Sequence, residues 1–431
     1  MKKPRRPLSA TLVSVAGARR LRARSDALSL SSDSPTPSIT TLPSALPPSF
    51  RLLARPVGVT CGLDCASSPG TGTRMTDETL EQYIRQLLEA HRAPTVTISW
   101  QGGEPTLMGL EFFRRAVELG RRYARPDQTV VHAIQTSGSQ VDAAWARFFA
   151  KNGFLVGISI DGPRELHDAY RRNKAGEPAF DVVMRGLDAL REAEVDWNSL
   201  TTVNAANEDH AAEVYGFLRD ECDCRFMQLI PVVERPCKNG VPFGYDVTQR
   251  SVSPEGWGQF LIDVFEEWVR HDVGQVFVQH FDAALANWFG EPSGFCVHSA
   301  SCGTVLAMEA SGDVYACEHF IEPDYLRGSI HERHLAELVS VEPQRWFGNG
   351  KQTALPQYCL ECDVRFACHG GCVKDRIRHA PDGQPGLNYL CRGYKTFFHH
   401  IDEPMRRMCA LLRERRPPAE IVAEYEARDQ V

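Results

Sequence analysis

The stretch Thr95-Val-Thr-Ile-Ser-Trp-Gln-Gly-Gly-Glu-Pro105 decides the architecture. Thr95–Trp100 alternates and is rich in β-branched residues, which predicts a strand. The strand ends on two glycines, where the backbone can approach a ligand closely, and on Glu104, which either presents a carboxylate or closes a tight turn. The same arrangement recurs at Ser159-Ile-Asp-Gly-Pro163, at the end of an expected strand Phe154–Ile160 and ahead of His167, Asp168 and Arg171. A Ser and an Arg placed there suit a hydroxyl or a carboxylate ligand. Other strands are expected at Pro56–Thr60, Thr129–Gln135, Trp197–Val203 and Arg225–Val232. Helical periodicity covers Asp77–Arg92, Glu111–Arg125, Asp142–Lys151, Phe180–Glu194 and Glu208–Asp220. Repeated βα units make a parallel sheet. Polar motifs at successive strand C-terminal ends favour an α/β fold of the partial (β/α)6 TIM type over a doubly wound sheet.

Outward from this core, cysteine dominates. The chain holds 14 cysteines in 431 residues. Eight crowd the last third, as Cys296-x5-Cys302-x14-Cys317 and then Cys359-x2-Cys362-x5-Cys368-x3-Cys372-x18-Cys391. A disulfide framework is the competing reading, but such scaffolds are usually small, and this spacing in a large enzyme-like chain indicates metal. Eight thiolates complete two four-cysteine sites. Upstream, Cys61 and Cys65 follow the first strand; C-x3-C can hold two corners of an iron–sulfur cluster or be two incidental buried cysteines. Thiolate clusters need a reducing compartment, which predicts the cytoplasm.

Composition is globular, 43% hydrophobic and 24% charged, with no apolar run long enough to span a bilayer. Net charge is −7, yet residues 1–58 carry ten Lys/Arg and two Asp/Glu, or +8, leaving −15 for the rest (−7 − 8). An acidic body argues against nucleic-acid binding and suits a basic peptide. Residues 1–55 are basic and then rich in Ser, Thr and Pro, so disorder is expected there. Lys2–Arg6 and Leu8–Ala18 have a faint look of an export signal. The expected organisation is a disordered extension at 1–55, a barrel at 56–290, a cysteine-rich domain at 291–395 entered through a helix Glu255–His271, and a C-terminal helix (397–416) and tail at 396–431.

Taken together, these motifs resemble radical S-adenosylmethionine enzymes with a SPASM extension, and within them the anaerobic sulfatase-maturating enzymes. The likeness runs through Met75-Thr-Asp-Glu-Thr-Leu80, Gln101-Gly-Gly-Glu-Pro-Thr-Leu107, Gln135-Thr-Ser-Gly138, Gly157-Ile-Ser-Ile-Asp-Gly-Pro163, Gln228-Leu-Ile-Pro-Val-Val-Glu-Arg235, Asp272-Val-Gly274 and the cysteine spacing. The resemblance implies a [4Fe-4S] cluster on a C-x3-C-x2-C loop, with S-adenosylmethionine chelating its open iron. Cys61 and Cys65 match the first two ligands. Ser68 stands where the third cysteine belongs, Ser67 replaces the usual aromatic, and the loop Ala66–Thr73 looks shortened. Gly102, Gly103, Ser159 and Arg171 match cofactor-binding positions. One auxiliary cluster would take Cys296, Cys302, Cys317 and Cys372, the other Cys359, Cys362, Cys368 and Cys391.

Glu318 matches the family's aspartate base, with one extra methylene, or about 1.5 Å more reach. The implied reaction oxidises a Cys or Ser of an unfolded sulfatase to Cα-formylglycine, with an electron donor such as flavodoxin or ferredoxin. Serine is a poor iron ligand, its hydroxyl being a far weaker acid than a thiol, so the radical step is expected to be impaired. Two alternatives stand beside this reading: a SPASM maturase of another peptide, and an inactive metal-binding scaffold.

Overall fold

The computed structural model describes residues 50–61, 73–238, 241–242 and 244–429. Six parallel strands form its spine: β1 (Arg51–Arg55), β2 (Thr95–Trp100), β3 (Thr129–Thr136), β4 (Leu155–Ser159), β5 (Trp197–Val203) and β6 (Phe226–Pro231). They are neighbours in chain order, so the sheet is singly wound, as a partial barrel requires. The helices between them are α1 (Asp77–Ala90), α2 (Leu110–Tyr123), α3 (Ala143–Asn152), α4 (Arg164–Tyr170), α5 (Phe180–Glu192) and α6 (Ala211–Gly216). Caps set several boundaries: Thr76 accepts from Thr79 N, and Asp142 from Ala144 N and Trp145 N. Trp100 anchors the layer beneath the helices, edge-on to Tyr83, Phe112 and Phe113.

The sheet does not stop at β1 or β6. After a two-residue hairpin, β7 (Cys237–Lys238) with β8 (Val241–Pro242), and the helix α7 (Pro254–His271), a short β9 (Phe277–Val278) adds to β6 and leads into α8 (Gln279–Phe289). On the other side β10 (Val305–Glu309) pairs in parallel with β1, from Arg51 opposite Val305 to Arg55 opposite Glu309. β11 (Asp313–Tyr315) and β12 (Leu326–Ser329) continue antiparallel. One ten-stranded sheet therefore runs from the barrel into the cysteine-rich region. The rest of that region is mostly short helices: α9 (Leu335–Leu338), α10 (Glu342–Thr353), α11 (Gln357–Leu360), α12 (Arg365–Cys368), a hairpin of β13 (Arg378–His379) and β14 (Pro385–Leu387), then α13 (Cys391–His400), α14 (Asp402–Arg413) and α15 (Glu420–Asp429). A second joint forms where α7 meets α13: a Cβ on Gly258 would lie 2.6 Å from the Gly393 Cα.

Three expectations need correction. The first strand is Arg51–Arg55, not Pro56–Thr60, so ordered chain begins inside the segment 1–55. Arginines flank it and mask its apolar centre, but Leu52, Leu53 and Ala54 are buried and Arg55 is neutralised by Glu309. The single helix expected at 397–416 is divided, because Pro404 cannot donate to the carbonyl of His400. Glu208–Asp220 shrinks to α6 and a π turn at Phe217–Glu221.

The Arg55–Glu309 pair, 3.0 Å apart with side chains 4% and 3% exposed, lies on the seam between barrel and cysteine-rich region. Glu309→Gln would leave a buried cation without its counter-charge and is expected to cost about 3–5 kcal/mol. A thermal melt should show the loss as a lowered midpoint. An unchanged midpoint would show that the seam does not depend on the pair.

Candidate active site and cysteine sets

The first elements of the site lie at the C-terminal ends of β2, β3 and β4. Gly103 has φ +57°, and a Cβ there would strike the carbonyls of Thr60 and Gly58, so only glycine lets the two strand ends lie this close. Glu104 N donates to Thr60 O at 2.8 Å, which seats this turn directly against the residue before Cys61. The Glu104 carboxylate is fully buried and accepts from Thr106 N and Oγ1, Thr136 Oγ1, and Ser137 N and Oγ at 2.6–3.1 Å. It is a clamp between strand ends and not a group presented to a ligand.

On the neighbouring strands, Gln135 lies opposite Gly157 and its Nε2 donates to Ser159 Oγ at 3.2 Å. Arg171 forks onto Asp161, with Nε and Nη2 donating at 2.6 and 3.0 Å. Burial works against the Asp161 carboxylate, yet the charge and hydrogen bonds of Arg171 hold it below its ordinary range. Gly102, Gly103, Ser159 and Arg171 thus share the same rim of the sheet. Cys61 follows β1 on that rim. Cys65 and Ser68 lie outside the described residues.

Because β10 lies beside β1 and β1 beside β2, the turn after β11 comes within reach of the β2 motif. Gln101 Nε2 donates to Glu318 Oε2 at 2.7 Å across this joint. Glu318 is surrounded by protein yet partly accessible, as a residue lining a recess is. Burial raises its carboxyl above the ordinary range, against Arg55 and Lys374, which pull it down.

The eight C-terminal cysteines are all free thiols. Their mutual electrostatic interactions fall into two sets. Cys296 interacts with Cys302, and Cys317 with Cys372 and Cys296. Cys368 interacts with Cys391, Cys359 and Cys362, and Cys391 with Cys359 and Cys362. Burial pushes the Cys368 and Cys372 thiols up to about 12. Thiols so placed lose their protons readily only to a bound cation. Among the described residues no three His, Cys, Asp or Glu converge tightly enough for a single metal ion. The thiols therefore lie farther apart than in a tetrahedral zinc site with bonds of about 2.3 Å, and the donor chemistry fits the larger iron–sulfur cube.

Basic residues escaped the sequence reading. Lys351 is fully buried and donates to the carbonyls of Cys296 and Val297. Lys374 donates to Asp375 Oδ1 at 2.5 Å and faces Cys372. Gln101 was inside a quoted motif, but nothing local marks it as a partner of a residue more than two hundred positions away.

The Radical SAM superfamily model matches residues 57–218, and the SPASM iron–sulfur cluster-binding domain model matches 301–363. The serine-type anaerobic sulfatase-maturating enzyme of Bacteroides thetaiotaomicron is 40% identical over 390 residues, 86% of this chain and 94% of that protein. The cysteine-type enzyme of Clostridium perfringens is 28% identical over 365 residues, 82% and 96% of the two chains. A solved structure of native anSMEcpe with bound AdoMet superposes with a TM-score of 0.75 at 28% identity, covering 84% of this chain and 99% of that one. The shared strand-end motifs, the paired cysteine sets and this likeness along nearly the whole described chain place the protein in the family of anaerobic sulfatase-maturating enzymes, radical SAM proteins with a SPASM domain.

Proposed function

We propose that this chain oxidises a Cys or Ser side chain in an unfolded sulfatase segment to Cα-formylglycine. The contact between Gln101 and Glu318 carries the reading, since it joins the barrel rim to the cysteine-rich region at one carboxylate. Cys296, Cys302, Cys317 and Cys372 would hold one auxiliary [4Fe-4S] cluster, and Cys359, Cys362, Cys368 and Cys391 the other. Cys61 and Cys65 belong to the radical cluster, with Gly102, Gly103, Ser159 and Arg171 around S-adenosylmethionine. When bound, these groups supply a carbon radical that takes hydrogen from the substrate Cβ and an outlet for the remaining electron.

The chain's own residues do the rest. Glu318 takes the proton from the substrate thiol or hydroxyl, so that one hydrogen atom, one proton and one electron leave in total. Gln101 holds one carboxylate oxygen and fixes the orientation of the other. The serine-type relatives, at 40% and 36% identity, share more with this chain than the cysteine-type enzymes of Clostridium perfringens at 28%. That supports serine as the residue oxidised. A solved relative with bound AdoMet and a peptide supports a peptide segment as substrate. Cys362 lines a surface cavity of about 390 Å³ with Leu360, Arg365 and Phe366, which gives a carrier such as flavodoxin or ferredoxin an approach to the second set. Thiolate clusters of this kind persist in the reducing cytoplasm.

Ser68 is the specific observation that favours a restricted version of this activity. With two thiolates in place of three, the radical cluster is held weakly. Ser68→Cys is expected to raise cleavage of S-adenosylmethionine to 5′-deoxyadenosine, measured by chromatography after anaerobic reconstitution. No gain would locate the defect in the shortened loop 66–73 itself.

In that Ser68→Cys background, Glu318→Gln should lower formylglycine formation on a Ser-x-Pro-x-Arg peptide by about 10²-fold or more, followed by mass spectrometry, while 5′-deoxyadenosine still forms. Glu318→Asp should keep most of the activity. Equal activity in Glu318→Gln and its parent would remove Glu318 from the base role.

A further inference from the structure

Cys368 belongs to one cysteine set and Cys372 to the other, so His369-Gly370-Gly371 is the shortest covalent path between them. All three residues have positive φ, at 48°, 73° and 62°. Consecutive left-handed residues are unfavourable for L-amino acids, and His369 has no glycine's freedom. Something must hold the bridge.

Arg376 does so. Its Nε donates to Gly370 O at 3.1 Å, its Nη2 to His369 O at 3.0 Å, and its Nη1 to Lys351 O at 2.6 Å. Asn388 Nδ2 adds bonds to Cys372 O at 3.1 Å and Gly370 O at 3.4 Å. A Cβ on Gly370 would stand 2.6 Å from Arg376 Nη2 and would also strike Leu355, so the glycine and the guanidinium require each other.

The same guanidinium is placed electrostatically between the sets. It interacts with Cys359 and Cys368 on one side and with Cys302 and Cys372 on the other. Lys351 provides the contrast, since its cysteine partners are Cys302, Cys296 and Cys372, all of the first set. An arginine remains charged at every working pH. A fixed cation favours the more negative, reduced state of any iron–sulfur cluster it faces.

We propose that Arg376 is a positioning residue shared by both auxiliary clusters: it fixes the His369–Gly371 bridge that spaces them and sets both reduction potentials with one permanent charge. This rests on the reading that the two cysteine sets hold [4Fe-4S] clusters.

Potentiometric titration of the full-length, anaerobically reconstituted protein, followed by electron paramagnetic resonance, tests it. In Arg376→Gln both auxiliary potentials should move to more negative values. In Arg376→Lys, which keeps the charge, both should stay near the parent values. In Lys351→Gln only one should move. If Arg376→Gln moves a single potential, or none with iron content unchanged, the proposal fails. If Arg376→Gln loses iron, Arg376→Lys decides: full iron with both potentials retained supports the shared role, and a shift confined to one cluster overturns it. Absence of iron from the parent protein would instead defeat the underlying cluster reading.

Discussion

The parallel pairing of Arg51–Arg55 with Val305–Glu309 is the constraint on which the site depends. It makes barrel and cysteine-rich region parts of one sheet, where a flexible tether would leave their relative position undefined. Its immediate consequence is geometric. β2 is the next strand over, and the residue that follows it, Gln101, hydrogen-bonds through its backbone to Ala54 and through its side chain to Glu318. A catalytic base must be held to a fraction of an ångström, since a displacement of about 1 Å can cost about 10²-fold in rate. A continuous hydrogen-bonded sheet gives that precision, and the Gly258–Gly393 approach of α7 and α13 closes the joint from a second side.

Electrostatics follow the same plan. The eight thiols lie where burial disfavours their charged forms, and three cations are interleaved with them. Lys351 faces the first set, Lys374 lies beside Cys372 and reaches towards Glu318, and Arg376 stands between the sets. Lys351 and Arg376 satisfy their donors on backbone carbonyls, and Lys374 on the Asp375 carboxylate and the Val233 carbonyl; none pairs with a thiol. The thiols are left for metal.

Much of this was legible in the sequence. Thr95–Trp100 and Trp197–Val203 were read with their observed ends because period-two alternation stops there at turn residues. The cysteine spacing specified the two sets that the fold brings together. What escaped was non-local. Leu52–Ala54 is too short an apolar run, between arginines, to announce a strand whose partner is β10. Glu104 looked like a presented carboxylate because its five donors come from residues up to 33 positions away. The cations around the thiols carry no motif, since a lysine in a polar segment gives no local sign that it will be buried.

The most direct test of the account is the metal content of the chain after anaerobic purification and reconstitution. Two auxiliary [4Fe-4S] clusters and a weak radical cluster predict about eight irons per chain. Zinc in place of iron would contradict the cluster reading altogether, and about twelve irons in the unaltered protein would contradict the role given to Ser68.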